Sequence, residues 1–430
     1  MLTDERTFQQ SLLSEYGDCI AAYRGKGVLS LVDGKKLDCQ FDAGQLTNGK
    51  ILLLCDFLRP FPTCLIISAA NFEGTTSDGF RICANKAFTE VYYLPDMTAE
   101  RSEGVWAAFC LHELSVEIAE DKNTDRLHFG ITNFEFIGTK PTPRSDNSLI
   151  LTLPLDLQNN SRLTKLLIRP LDLYEKLMKR VQTLKSIGVS SEVIAEIPRD
   201  GSIAMATEVV DDLCYILSVA RGTKIQWLYC DHYDKTGKLI LRKHCSRIAK
   251  AYCPLKIVHP VAAAGKETKS FIEQAYNIYV EKRESFRLHK GTIDAYLDAK
   301  GEADYLEMRG VKFAVAMEIL KTVFRKAVGI KSGSFKSVIE DLCDYIKFSA
   351  SKQEIDLFVA CRNSLIHEGK FYCETATPKQ RNDCTPLNTQ TEEYMFLVNF
   401  LDRVFLKLLG YSGPYIDWRV PGSPTRREQV

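Results

Sequence analysis

EIDLFVACRNSLIHEGKF, residues 354–371, decides how the C-terminal third of the chain is read. Its apolar positions recur at helical spacing and Gly369 stands where the pattern stops, which predicts one helix from Glu354 to Glu368. Its neighbours have the same character. SFIEQAYNIYVEKRESF (270–286), running on towards Ala299, reads as a helix, as does Tyr305–Val328 with Phe313, Ala316, Leu320 and Phe324 on one stripe. Phe335–Phe348 carries Val338, Leu342 and Ile346 in register, with Ser337 and Glu340 spaced as a capping box. The last segment starts at Thr391, whose hydroxyl can cap it while Glu392 and Glu393 oppose the helix dipole, and stops at Gly410. It is apolar nearly all round from Met395 to Leu409, so it is expected to be buried.

Ahead of these helices the pattern changes. From Arg24 to Pro154 short apolar runs alternate with turn residues, as in antiparallel sheet. VLSLV (28–32), Asp33-Gly34 and KLDCQF (36–41) read as a hairpin. ILLLCDF (51–57), CLIIS (64–68), FRICA (80–84), TEVYYL (89–94), VWAAFCL (105–111), LHFGITNFEFI (127–137) and LILTLP (149–154) continue the series. So many strands predict a sandwich or barrel. Further on, LTKLLIRPL (163–171) reads as strand, while LYEKLMKRVQTLKSIG (173–188) and MATEVVDDLCYILSVARG (205–222) read as helices closed by glycine. KIQWLYC (224–230) and KLILRK (238–243) form a hairpin turned at Asp234-Lys235-Thr236-Gly237. The expectation is an α+β multidomain protein. A β-rich recognition domain, a sandwich or barrel, occupies 1–155, a small α/β middle domain 156–265, an all-α helical bundle 266–420, and a disordered tail 421–430.

Composition bounds the function. The chain has 430 residues, 45% apolar and 26% charged, which is globular usage. Lys plus Arg number 56 against 55 Asp plus Glu, so any nucleic-acid contact must come from a local patch and not from the whole-chain field. Fourteen scattered cysteines behind MLTDERTFQQ, a polar opening without secretory character, read as reduced thiols. No run of about 18 apolar residues is present, so no membrane span is expected and the cytoplasm is the expected compartment.

CRNSLIHEGKF (361–371) resembles the signature of HEPN ribonucleases: an arginine, a polar residue, three further positions and a histidine. AMEIL (316–320) resembles the family's equivalent acid-bearing segment, with Glu318 as the acid, and FLDRVFLKLLGY (400–411) resembles the closing helix of HEPN domains in ApeA-type anti-phage proteins. The resemblance covers roughly the last 150 residues. It implies an HEPN-like bundle that pairs as a homodimer, two motif helices sharing one cleft. It also implies an RNA endonuclease of a defence or abortive-infection system, toxic or dormant until triggered, needing no cofactor.

Elementary chemistry is compatible with that implication. At about 3.6 residues per turn, Asn363 and His367 lie within about 40° of one face, while Arg362 sits about 140° from His367 and reaches the site through its long side chain or from a neighbouring chain. In-line RNA cleavage needs the 2′-hydroxyl deprotonated, charge on the phosphate held, and the leaving 5′-oxygen protonated. Imidazole as a class titrates near neutrality, which suits His367 to the proton transfers. Arg362 offers a charged fork for phosphate oxygens, and Asn363 can donate to the phosphate or orient the imidazole. No metal is required, and the product is a 2′,3′-cyclic phosphate. Glu318, in an apolar stripe, is expected to pair with Arg362 or Arg325. Lys321, Arg325, Lys326, Lys331 and Lys336, with Lys370 beyond the motif, make the local basic patch for RNA, transfer RNA included.

Other readings compete. A His and an Arg near a helix end also serve as carbonyl caps, and a basic run is also a solvated face. The helical domain can then be a non-catalytic dimerisation or nucleotide-binding module, with a β domain that binds a partner, a phage or cellular trigger in the nuclease reading. No nucleotidyltransferase Gly-Ser with paired aspartates is present. Cys230, His232, His244, Cys245 and Cys253 invite zinc, but their spacing matches no familiar finger, so no metal is assigned. RGKG (24–27) and AAAGKETKS (262–270) lack phosphate-loop spacing.

Overall fold

The computed structural model of the chain describes residues 13, 16–31, 34–57, 70–93, 105–119, 123–143, 148–159, 162–197, 202–301, 305–377, 387–419, 425–427 and 429–430. The expected strand at 64–68 lies outside the described residues. A large antiparallel sheet occupies the N-terminal half and helices dominate the C-terminal region, so the fold class is α+β. Two compact units interleave along the chain. The first comprises Met1–Thr132, Ile187–Ala206 and Gln226–Lys250, and the second Asn133–Ser186, Thr207–Ile225 and Ala251–Val430.

In the first unit, β1 (Cys19–Leu31), β2 (Lys36–Leu46), β3 (Ile51–Phe57), β4 (Ala70–Thr76), β5 (Arg81–Tyr93) and β6 (Val105–Leu111) pair in the order β4-β1-β2-β3-β6-β5. A further β4–β5 pairing closes these six strands into a ring. Closure leaves none of the six with a free edge, and the two-residue period sends alternate side chains inward. Cys39, Phe41 and Ala43 of β2, Ile51, Leu53, Cys55 and Phe57 of β3, and Ala107, Phe109 and Leu111 of β6 form one core. FRICA and TEVYYL, expected as two strands, are one. Lys86, at φ +60°, inserts a bulge, and the inward positions shift accordingly from Ile82 and Ala84 to Ala87. The glycines of RGKG belong to β1, where a Cβ on Gly25 would lie 1.9 Å from the Thr75 carbonyl oxygen of β4.

The same unit continues through β7 (Glu113–Glu117), β8 (Arg126–Thr132), β12 (Val189–Glu196), β13 (Trp227–Tyr233) and β14 (Leu239–Cys245), in the order β7-β14-β13-β8-β12, with β7 joined to β5. Phe129 of β8 faces Val193 on one side and Cys230 on the other. The middle domain expected over 156–265 is therefore corrected. Its strands β12, β13 and β14 belong with the N-terminal sheet, because β8 needs backbone partners on both flanks and finds them downstream. The stretch 127–137 likewise stops being strand at Thr132, since Asn133 takes φ +50°.

In the second unit β9 (Lys140–Pro143), β10 (Leu149–Asn159) and β11 (Arg162–Pro170) pair antiparallel. The helices are α1 (Tyr174–Leu184), α2 (Ile203–Arg221, in this unit from Thr207), α3 (Lys266–Lys282), α4 (Ile293–Lys300), α5 (Leu306–Val328), α6 (Phe335–Tyr345), α7 (Lys352–Glu368) and α8 (Gln390–Leu408). α3 rests on β10 through Lys269 Nζ to the Pro154 carbonyl (2.8 Å) and Glu273 Oε1 to the Asp156 amide (2.9 Å). As expected, α8 is buried nearly all round, Tyr394 to Leu408. Within it Asp402 meets Lys300 Nζ at 2.8 Å and accepts from Tyr296, all three without solvent exposure. Two caps differ from expectation. Ser334, not Ser337, caps α6 by accepting from the Ser337 amide, and Thr389, not Thr391, caps α8. Within the tail expected to be disordered, Thr425–Arg427 pair with Tyr415–Asp417.

Candidate active site on the helical unit

α7 is positioned at both ends. Ser351 and Glu354 close a capping box, the Ser351 hydroxyl accepting from the Glu354 amide at 3.1 Å, and Gly369 ends the helix at φ +68°. Beyond it Phe371 is fully buried. Glu393 of α8 accepts the backbone N–H groups of Tyr372 and Cys373 at 2.9 Å each, and the Ser364 hydroxyl donates to the Lys370 carbonyl at 2.9 Å. Glu393 thus pins the chain after the motif, a role the reading of it as a dipole partner for α8 missed. Burial pushes its carboxyl above the ordinary range, the two N–H donors opposing. Burial, reinforced by Glu393, raises the Cys361 thiol well above its usual value and Cys373 to about 12, so neither is a ready thiolate.

With Phe358, Cys361 and Leu365 facing the core, Asn363, Ile366 and His367 fall on the exposed side and Arg362 is half-buried between. Arg362 donates through one terminal nitrogen to Glu318 Oε1 and through the other to Asn363 Oδ1 at 2.8 Å. Its guanidinium lies 4.8 Å from the centroid of the Phe335 ring. Lys321 Nζ reaches Glu318 Oε2 at 2.5 Å and lies 5.1 Å from the same ring. One carboxylate of α5 therefore grips two cations beside one aromatic ring of α6. The Glu318–Arg362 pairing is one of the two weighed from sequence; the other arginine, Arg325, donates instead to the Lys331 carbonyl at 2.5 Å. Phe335 gave no such signal, because a cation over a ring is recognisable only once helices are packed.

His367 is exposed, and no protein partner engages its ring among the described residues. Of the expected basic patch, Lys321 is held by Glu318 and Lys336 by Asp356 at 2.5 Å. Lys326, Lys331 and Lys370 are exposed, their ammonium groups without an ion pair among the described residues.

The two histidines that invited zinc are otherwise employed. His244 Nδ1 lies 2.7 Å from Gln45 Oε1 and its Nε2 2.8 Å from the Tyr23 hydroxyl. Burial, with Arg242 adding to it, lowers its pKa to about 3, so it is neutral. His232 is lowered to about 4 by burial and Lys243, with Nδ1 3.2 Å from the Thr124 hydroxyl. Cys253 belongs to the other unit. Gly265, from AAAGKETKS, precedes α3 at φ +80°, where a Cβ would meet the Ile137 carbonyl oxygen at 2.1 Å.

No family model, curated protein or solved structure matches this chain.

Proposed function

We infer that the chain is a metal-independent RNA endonuclease of a cytoplasmic, toxin-like defence system, its C-terminal unit an HEPN-like bundle that pairs as a homodimer and its β unit a recognition module for a trigger. The observation that carries this reading is the exposed imidazole of His367 one helical turn from Asn363, on the helix whose Arg362 is held by Glu318. In the reaction imidazole takes the proton of the 2′-hydroxyl, and the freed oxygen attacks the adjacent phosphorus. The P–O5′ bond breaks as the imidazolium returns that proton to the leaving 5′-oxygen, giving a 2′,3′-cyclic phosphate and a 5′-hydroxyl. Arg362 stabilises the phosphorane charge, for which it must exchange Glu318 for phosphate, while Asn363 orients the phosphate or the ring. Pairing of two chains supplies the second motif helix. Ile366, 36% exposed one residue before His367, is an apolar contact suited to it.

Purified protein incubated with transfer RNA and messenger RNA in EDTA should generate fragments ending in 2′,3′-cyclic phosphate. His367→Ala and Arg362→Ala should each lower the rate by about a hundredfold or more. Intact RNA with wild-type protein together with a His367→Ala variant no less toxic than wild type in cells, or unimpaired cleavage by His367→Ala, sinks the assignment. The double engagement of Glu318 by Arg362 and Lys321 also fits a second reading, in which the ion-pair network is structural and the unit is a dimerisation module. That reading expects dimers in sedimentation that survive Arg362→Ala and His367→Ala, with no RNA turnover.

A further inference from the structure

Beside Glu318 the helical unit carries a cavity of about 330 Å³, formed by one face of α5 and the turn at 285–287. Val315, Ile319 and Val323, four residues apart, make its apolar wall. Arg287 and Lys326 line it as well. Both are exposed, and among the described residues no acid or hydrogen bond engages either side chain. Their neighbours are spent: Arg283 meets Asp212 at 2.8 Å, Lys290 meets Glu284 at 3.2 Å, and Lys321 meets Glu318. The backbone of Arg287 takes φ +47°, its amide N–H donating to the Glu284 carbonyl at 3.1 Å. Glu318 lines the cavity too, and its carboxylate touches Arg362.

An apolar slot, two unspent cations and a carboxylate bonded to the motif arginine thus share one concave surface. We propose that this cavity is a nucleotide subsite, receiving one unstacked nucleotide of a single-stranded RNA next to the phosphate at Arg362 and His367. The base packs against Val315, Ile319 and Val323, and its phosphate engages Arg287 and Lys326. The volume lies at the low end of small-molecule sites, adequate for one nucleotide. A base stacked inside a duplex cannot enter such a slot, so the substrate class is single strand, loop or overhang. The position within the strand rests on the nuclease reading; the binding itself does not.

The test measures binding calorimetrically with the full chain. The probes are the four nucleoside 5′-monophosphates, a short single-stranded RNA methylated at every 2′-hydroxyl, and that RNA annealed to its complement. Wild type and His367→Ala should bind a monophosphate and the single strand, and the duplex about tenfold more weakly or worse. Val315→Trp, which fills the slot from a position already 42% exposed, and Arg287→Ala with Lys326→Ala should each lose about tenfold or more. Unchanged binding by both variants, with circular dichroism and Tm as in wild type, overturns the subsite, as does duplex bound as tightly as single strand. A monophosphate bound without the strand overturns the placement in RNA. Nucleotide binding that the slot variants abolish, in a protein that never cuts RNA, would leave the subsite standing and remove the nuclease. Cleavage lost in His367→Ala but unaltered in KM and sequence preference by the slot variants would do the reverse.

Discussion

Lys300 and Asp402 show how the helical unit spends charge in its interior. Neither side chain is exposed; Asp402 carries two contacts to Lys300 Nζ, at 2.8 and 3.0 Å, and a hydrogen bond from Tyr296. Burial raises the Asp402 carboxyl, while Lys300 draws it down. Removing one partner strands the other without water, so Asp402→Ala should destabilise the unit by about 3–5 kcal/mol in urea unfolding. Replacing both, Asp402→Leu with Lys300→Met, should recover most of that loss, and a double variant no better than the single one would show that the pair contributes more than it costs. Neither partner was identifiable as paired from sequence. Asp402 sat in a helix read as buried, but its counterion lies 102 positions away on α4. The motif behaves alike: Arg362, Asn363 and His367 were singled out by the resemblance of their stretch to the HEPN signature, and Glu318 as an acid in an apolar stripe expected to find a cation. Phe335 and Glu393 were not, because their contribution is a contact across helices.

At the scale of elements, helices were easier to place than strands. α5, α6 and α7 begin within two residues of where periodicity puts them, since a helix satisfies its own backbone and its pattern is local. Caps were harder, as several hydroxyls stand near each start and only the chain's entry angle selects one. For α7 the selected cap is Ser351, and Ser351→Ala should cost about 1 kcal/mol, because it removes the acceptor for the Glu354 amide. The loss should be read as a lower urea midpoint at constant m-value; a midpoint equal to wild type would mean the capping box contributes nothing. Strands depend on partners, and β4, β7, β9 and β12 were not recognised from their short or polar runs.

At the scale of the molecule, the chain returns twice to its first unit. A fragment ending at residue 155, the boundary suggested by the run of strand-like segments, leaves β8 without β12 and β13 and cuts β10 in half. Expressed alone it should melt below the full chain and leave the β8 amides unprotected in hydrogen exchange, whereas a 1–155 fragment with β8 protected as in the full chain would overturn the interleaved arrangement. The recognition role proposed for the β unit is accordingly tested by surface substitutions and not by truncation. By itself the sequence determined the type of most elements, the sheet-then-helix order, the burial of α8 and the common side of α7 on which Asn363 and His367 stand, because hydrophobic period and terminal glycines act within one element. The tertiary structure alone decided which distant strands flank β8, that six strands close a ring, and that one carboxylate, one arginine, one lysine and one aromatic ring meet. Pairing is a choice among many chemically equivalent partners, and only packing in three dimensions makes it.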